Sequence, residues 1–449
     1  MSAASLPLGR ARGARAKKRT KKRARPLSAE YNLMLTATLC LLALGVVMVF
    51  SASSTTRVLS NGGLSDSAFY LKRTLMFGAV GLLIMHLTAR HGLKLVRDLT
   101  PALLGVSIFL LVAVLAVGTE VNGASRWIGG GFLQIQPSEL AKVALVLYGA
   151  DLIARKPKRA RSLEGIMPLL LVAGASCLLI MLEPDMGTTM VIAFAVGATL
   201  IAGGARPADL GKVALAIGVL ALLMTIVEPY RMARLTGFLN PGDAVEGAGF
   251  QAAQAKIAIG SGGLFGKGIG HGVAKAFYLP EAHTDMISAV IGEELGFVGL
   301  AGVVGLFAMF GYAGLKVAQR ARDNYTKLLV AGLTSLIVVQ AIINLFAVMG
   351  LAPLTGVPLP FVSYGNSSLI ASLFAVGLIL NVARGGTARA ARAGTPTRAG
   401  KLRVVEGGRS PARERSRSSG ARKAKSGGGG GGNRGARGAR HGGRRRASG

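Results

Sequence analysis

The chain has 449 residues, 51% hydrophobic and only 16% charged, with mean hydropathy +0.48 and formal net charge +33. An ordinary soluble domain carries about 25% charged residues, so this composition, with its repeated apolar runs of bilayer-spanning length, marks a polytopic membrane protein. The two cysteines, Cys40 and Cys177, both lie inside apolar runs; a secreted disulfide scaffold is excluded.

Residues 1–31 hold 10 Lys and Arg against one acid, Glu30. The segment reads as a basic cytoplasmic arm rather than a cleavable signal, because the first apolar run behind it is long enough to span. Apolar runs follow at 32–52, 72–88, 99–118, 137–154, 164–182, 187–203, 208–227, 286–319, 327–349 and 364–384. Each reaches the length of about 17 residues that crosses ~30 Å of hydrocarbon. The expected fold is all-α, with about ten transmembrane helices. Loop charge sets its direction. With the N-terminus inside, four short inner loops carry 14 basic residues, among them Arg90, Arg97, Arg155, Arg161, Arg206, Lys212, Arg320 and Lys327. The short outer segments carry only Arg57, Lys72, Arg73 and Arg126. This bias places both termini in the cytoplasm.

Two stretches depart from simple spans. The outer connection 228–285, between spans 7 and 8, is long and polar, and loops of that length are commonly functional. The run 286–319, as one helix at 1.5 Å per residue, would be about 51 Å long and must tilt, break or extend past the bilayer. Beyond the last span, residues 384–449 hold 19 Lys and Arg against two acids, with a glycine run at Gly427–Gly432. Such a tail cannot bury enough apolar surface to fold. Both tails read as solvated arms apposed to anionic lipid, with nucleic acid the weaker reading. The domain division is therefore a basic tail 1–31, a membrane domain 32–384 with the outer loop 228–285, and a Gly/Arg-rich tail 385–449.

The glycine-rich patch Gly260–Gly272 is not a P-loop. Ser261 stands where the first Gly is needed, and Gly268 follows Lys267 where Ser or Thr is needed; a surface turn is the simpler reading. Intramembrane charge carries more information, because it is costly and faces a cavity or another charge. Glu139 and Lys142 share a helical face at i, i+3, as a packing ion pair or as substrate contacts. Glu183 and Asp185 flank Pro184; two carboxylates at this spacing are weak metal candidates, and a helix cap at Asp185 is the simpler reading. Asp285 closes the outer loop at the start of the eighth span, where burial raises a carboxyl pKa and a helix N-terminus lowers it. Locally, Thr284 or Asp285 also makes a good N-cap. Glu293 and Glu294 point about 100° apart, so at least one pairs with another element. His283 reads as interfacial.

Several segments together resemble the SEDS family (shape, elongation, division and sporulation), the membrane peptidoglycan polymerases. They are Gly45–Ser54, Gly123–Ile128, Gln136–Lys142, Glu183–Thr189, Leu279–Asp285, Gly292–Gly296 and Pro360–Ser368. The match runs in order from about residue 32 to 384. Ser51-Ala52-Ser53-Ser54 and Pro280–Asp285 are closer to the division branch than to the elongation branch. The chain departs from the family pattern at Asn366, where the family has a second Gly, and at Val348, near which it has an Asn.

The resemblance implies joining of lipid-linked disaccharides (lipid II) into glycan strands at the outer face of a bacterial plasma membrane during division. Asp285 matches the family's essential acid and is expected to act as general base. Arg126, Glu139, Lys142, Asp185, Arg231, Arg234, Ser363 and Ser367 are the expected substrate-binding residues. The cations among them, with or without a divalent metal such as Mg, would meet the leaving undecaprenyl diphosphate. Implied partners are a class B penicillin-binding transpeptidase and other division membrane proteins. A lipid II flippase and a non-catalytic scaffold are the competing readings; no inverted repeat supports the former.

Overall fold

The computed structural model describes residues 28–61, 69–121, 124–130, 134–227, 229–239, 247–277 and 279–393. The expected tails fall outside these residues apart from their edges.

Every expected apolar run lies on a helix. These are α1 (Ala29–Asn61), α2 (Phe69–Leu87), α3 (Leu93–Val117), α4 (Pro137–Arg155), α5 (Leu163–Leu182), α6 (Met186–Ala202) and α7 (Pro207–Val227), then α11 (Ile287–Gln319), α12 (Asn324–Val348) and α13 (Asn366–Ala393). Between α7 and α11 come α8 (Pro229–Leu239), α9 (Gly247–Ser261) and the single turn α10 (Ala274–Phe277). Among the described residues, eight helices are long and apolar enough to cross a membrane. The other two of the ten are α6, with 17 residues, and α4, which carries Glu139, Lys142, Asp151 and Arg155. The architecture is that of a polytopic helical membrane protein. The departure from all-α is a two-stranded antiparallel ribbon, β1 (Thr119–Val121) and β2 (Ala124–Trp127), between α3 and α4.

Local signals set the helix ends. Pro137 opens α4, where its missing N–H costs nothing. The Ser162 hydroxyl accepts from Gly165 N at the start of α5, and Asp323 with Thr326 forms a capping box on α12. The long run 286–319 breaks rather than tilts as one rod: Gly296 sits at φ 67°, ψ −162°, a conformation essentially reserved for glycine.

The core is built on α12, which is buried along most of its length against α4, α6, α11 and α13. Small residues permit close approach. On α2, Gly78 and Gly81 face Leu369 and Leu373 of α13. By contrast, α7 buries only Thr225. Helix alternation gathers the ribbon, the α5–α6 turn, the segment before α11 and the α12–α13 connection at one end of the bundle. The basic short loops lie at the other end, where Asp151 pairs with Arg97 at 2.9 Å and Arg155 at 2.7 Å.

Candidate active site

At the end opposite the basic loops, a cavity of about 110 Å³ is lined by Arg126, Trp127, Gln136, Asp185, Asp285 and Tyr364, with Thr188, Thr284, Gly356, Pro358, Gly365 and Ser368 completing the wall. Three of the residues expected from sequence, Arg126, Asp185 and Asp285, thus meet in one space.

Asp285 precedes the first turn of α11. Its backbone carbonyl accepts from Asn344 Nδ2 at 2.7 Å; the same amide group donates to Val357 O at 2.8 Å, and Asn344 Oδ1 accepts from Ser288 Oγ at 3.0 Å. One buried side chain on α12 therefore ties the Asp285 backbone to that of Val357, between the cavity-lining Gly356 and Pro358. The Thr284 hydroxyl donates to Asp285 Oδ1 at 3.2 Å. Burial pushes the Asp285 carboxyl above the usual carboxylate range, and Glu281 adds to this; the Thr284 hydrogen bond, the local backbone and the Arg234 guanidinium oppose it. Arg234 Nη1, on α8, donates to Leu354 O at 3.0 Å. Gly356 (φ 73°) lies between the two groups: a Cβ there would stand 3.9 Å from both Arg234 Nη1 and Asp285 Oδ2.

Arg126 projects from the ribbon to the α5–α6 turn. Its Nε donates to Glu183 O at 2.9 Å and its Nη2 to Pro184 O at 2.6 Å. Asp185 is the N-cap of α6, accepting from Thr188 N at 3.0 Å and Thr188 Oγ1 at 2.8 Å, with Gln136 Nε2 at 3.3 Å. The cap expected from the sequence is present, and the same carboxylate lines the cavity. Glu183 is 1% exposed, and neither carboxylate oxygen has a hydrogen-bond partner among the described residues. Burial, reinforced by Asp185 and offset by Arg126, pushes its pKa up to about 8. Among the described residues, no three His, Cys, Asp or Glu side chains converge as a metal site.

Glu139 and Lys142 lie beneath the cavity rather than on its wall. Lys142 Nζ meets Glu139 at 2.9 Å and donates to Gln340 Oε1 at 2.8 Å; the two charged residues are 2% and 3% exposed. Gln340 Nε2 reaches up to Pro358 O at 3.0 Å and Ser368 Oγ at 3.4 Å, linking the pair to the cavity wall. Ser363 Oγ accepts from Leu359 N at 2.8 Å, and Ser367 Oγ accepts from Gln136 N at 3.1 Å. Both hold turns, while the neighbouring Ser368 lines the cavity. The Arg231 side chain lies outside the described residues. At the rim, the ring of His283 lies tilted against Tyr70 and Tyr364, with centroids 4.3 and 5.4 Å away.

Sequence reasoning missed Asn344 and Gln340. The signal was present: two amide side chains at i, i+4 on one face of an apolar run, four and eight residues before Val348.

The FtsW/RodA/SpoVE family of cell cycle proteins matches residues 31–387. A probable peptidoglycan glycosyltransferase FtsW of Trichlorobacter lovleyi is 41% identical over 364 residues, covering 80% of this chain and 94% of that one. The stage V sporulation protein E of Bacillus subtilis is 40% identical over 358 residues, covering 78% and 96%. Among solved structures, a chain of a peptidoglycan synthase complex superposes with TM-score 0.63 at 29% identity, covering 79% of this chain and 98% of that one. The rod shape determining protein RodA of Thermus thermophilus superposes with TM-score 0.58 at 29% identity, covering 79% and 96%. With most of its length matched in sequence and in fold, the chain belongs to the FtsW/RodA/SpoVE family.

Proposed function

We propose that this protein is a peptidoglycan glycosyltransferase that polymerises lipid II, with Asp285 as general base. The observation that carries the reading is the Asp285 carboxyl on the wall of a cavity that Arg126 also lines, with Gly356 of that wall beside both Asp285 and Arg234. A carboxyl with a raised pKa is a better base for a sugar hydroxyl than a fully hydrated one.

In the step itself, the acceptor hydroxyl gives its proton to Asp285 as its oxygen attacks the anomeric carbon of the donor. A new C–O glycosidic bond forms. The bond from that carbon to the diphosphate oxygen breaks, and undecaprenyl diphosphate leaves with the electron pair. A single displacement of this kind inverts the anomeric centre. Arg126 lines the cavity and Arg234 stands beside Gly356 of its wall; these two are the cations proposed to meet the diphosphate. Lys142 contributes from below through Gln340. No divalent cation is assigned to the cavity, because both Asp185 oxygens are engaged with Thr188 and Gln136 and no three His, Cys, Asp or Glu side chains converge among the described residues.

The 14 basic residues of the short loops lie at the end opposite the cavity, which supports an outer-facing site by the positive-inside rule. The similarity to a chain of a peptidoglycan synthase complex supports a class B penicillin-binding transpeptidase as partner, and the division-branch relatives support a septal location. The basic tails suit anionic lipid.

The test is purified protein with labelled lipid II, with and without the transpeptidase. Glycan polymer that is lost in Asp285→Ala, with folding retained, supports the polymerase. Transbilayer movement of lipid II in vesicles without any polymer would replace it with a flippase.

A further inference from the structure

The patch Gly262–Gly272 is bonded into the break of α11. In an unbroken helix the Phe297 amide would donate to the Glu293 carbonyl and the Val298 amide to the Glu294 carbonyl. Instead, Glu293 O accepts from Lys267 N and Glu294 O from Gly268 N, both at 3.0 Å. The freed amides of Phe297 and Val298 donate to Gly263 O at 2.9 Å and Leu264 O at 3.1 Å. Two helical bonds are exchanged for four bonds to the loop.

Side chains complete the splice. The Glu293 carboxylate accepts from Lys267 Nζ at 2.9 Å, Val273 N at 2.9 Å and Ala274 N at 3.1 Å. The Glu294 carboxylate accepts from Lys275 Nζ at 2.6 Å, Ser51 Oγ of α1 at 2.7 Å and Gly270 N at 3.0 Å. Lys275 Nζ also donates to Ser51 Oγ and to Gly270 O, both at 3.0 Å. The Lys275 and Glu294 side chains are 1% and 0% exposed. The approach is close enough to require glycine: a Cβ on Gly262 would lie 2.0 Å from Gly292 O, and one on Gly296 would lie 2.4 Å from Gly266 N.

What this assembly holds is the first segment of α11, Ile287–Leu295, which begins two residues after Asp285 and is buried from Ile287 to Glu294. We propose that the loop Gly262–Gly272 and the Lys275–Glu294 pair are positioning elements for Asp285. They fix the direction of the short segment that carries the carboxylate to the cavity wall. Lys275 acts through this segment and does not line the cavity. The proposal rests on the glycosyltransferase reading above.

Gly296→Ala is the informative variant. Alanine excludes the broken conformation and favours a continuous helix, so α11 closes on itself and releases the loop while remaining helical. The experiment compares the full chain in lipid nanodiscs as wild type, Gly296→Ala, Lys275→Ala and Lys275→Arg. It reads backbone hydrogen exchange over 262–272 and 293–300, together with kcat, KM and their pH profiles on labelled lipid II.

In the wild type the amides of Lys267, Gly268, Phe297 and Val298 are slow to exchange. In Gly296→Ala the loop amides exchange at least tenfold faster while Phe297 and Val298 stay protected. Its kcat falls at least tenfold, KM changes less than threefold, and the acid limb of the kcat profile moves. Lys275→Ala changes kcat in the same direction, and Lys275→Arg recovers most of it. A wild-type loop that exchanges without protection overturns the proposal. So do variants that release the loop yet keep the wild-type kcat and acid limb. A wild-type chain that makes no polymer instead refutes the glycosyltransferase reading, and the positioning role falls with it even where the loop amides are protected.

Discussion

Lys142→Met tests the buried charges beneath the cavity. The substitution keeps the length and apolar stem of the side chain but removes the ammonium that neutralises Glu139 and donates to Gln340 Oε1. Glu139, 3% exposed, then keeps a carboxylate with no opposite charge beside it. Breaking a buried pair from one side costs about 3–5 kcal/mol, whereas replacing both partners by apolar residues of similar volume is often neutral or stabilising by about 1–4 kcal/mol. The single variant should therefore unfold at clearly lower temperature in detergent than wild type, and Glu139→Leu/Lys142→Met should recover most of the loss. Differential scanning fluorimetry on purified protein reads this directly. Because the charged ends of the pair reach the cavity wall through Gln340, the double variant should also keep measurable polymerisation, reduced by the altered Gln340–Pro358–Ser368 contacts. If the double variant is as unstable as the single one, the pair is not a self-contained packing unit. If it is stable yet inactive, Lys142 makes a contact with substrate that the geometry does not contain.

Three further outcomes follow from the same geometry. Glu183 titrates near 8 in the folded chain against an ordinary value of 4.5, so the unfolded state binds fewer protons between these limits and stability falls as pH rises from about 4.5 to about 8; Glu183→Gln should flatten that slope in pH-dependent thermal unfolding. Arg234 holds the Asp285 pKa down against burial, so Arg234→Gln should move the acid limb of kcat/KM to higher pH as well as raise KM, and an unmoved limb would uncouple the two groups. Asn344→Ala leaves the carbonyls of Asp285 and Val357 without their donor; the expected cost is about 1–3 kcal/mol for an unsatisfied buried group, read as a lower unfolding temperature, together with reduced turnover.

The layout of this fold was legible because bilayer crossing imposes a length and an apolar content on each segment, and all ten runs became helices. The cap at Asp185 was legible for a similarly local reason: a short carboxylate one residue before a helix satisfies its first amides whatever surrounds it. The break in 286–319 could be anticipated from length, but not placed, since Gly296 is one of several glycines in that run. From the sequence the glycine patch reads as a surface turn, because the four backbone-to-backbone bonds that splice it into α11 leave no mark on residue type. Adjacent Glu293 and Glu294 were the available clue, being two buried acids in need of donors, and those donors proved to be the patch, Lys267, Lys275 and Ser51. Asn344 and Gln340 carry no charge to single them out within an apolar run; neutral amides bind backbone carbonyls and organise the cavity at lower desolvation cost.

The central claim is that Asp285 takes the proton from the acceptor hydroxyl. Asp285→Asn keeps the shape of the side chain and removes the base, so its polymerisation rate on labelled lipid II, measured beside its unfolding temperature, is the most direct test. The account predicts a fall of about 10²–10⁴-fold with the unfolding temperature near that of wild type; a variant that still polymerises within tenfold of the wild-type rate would contradict it.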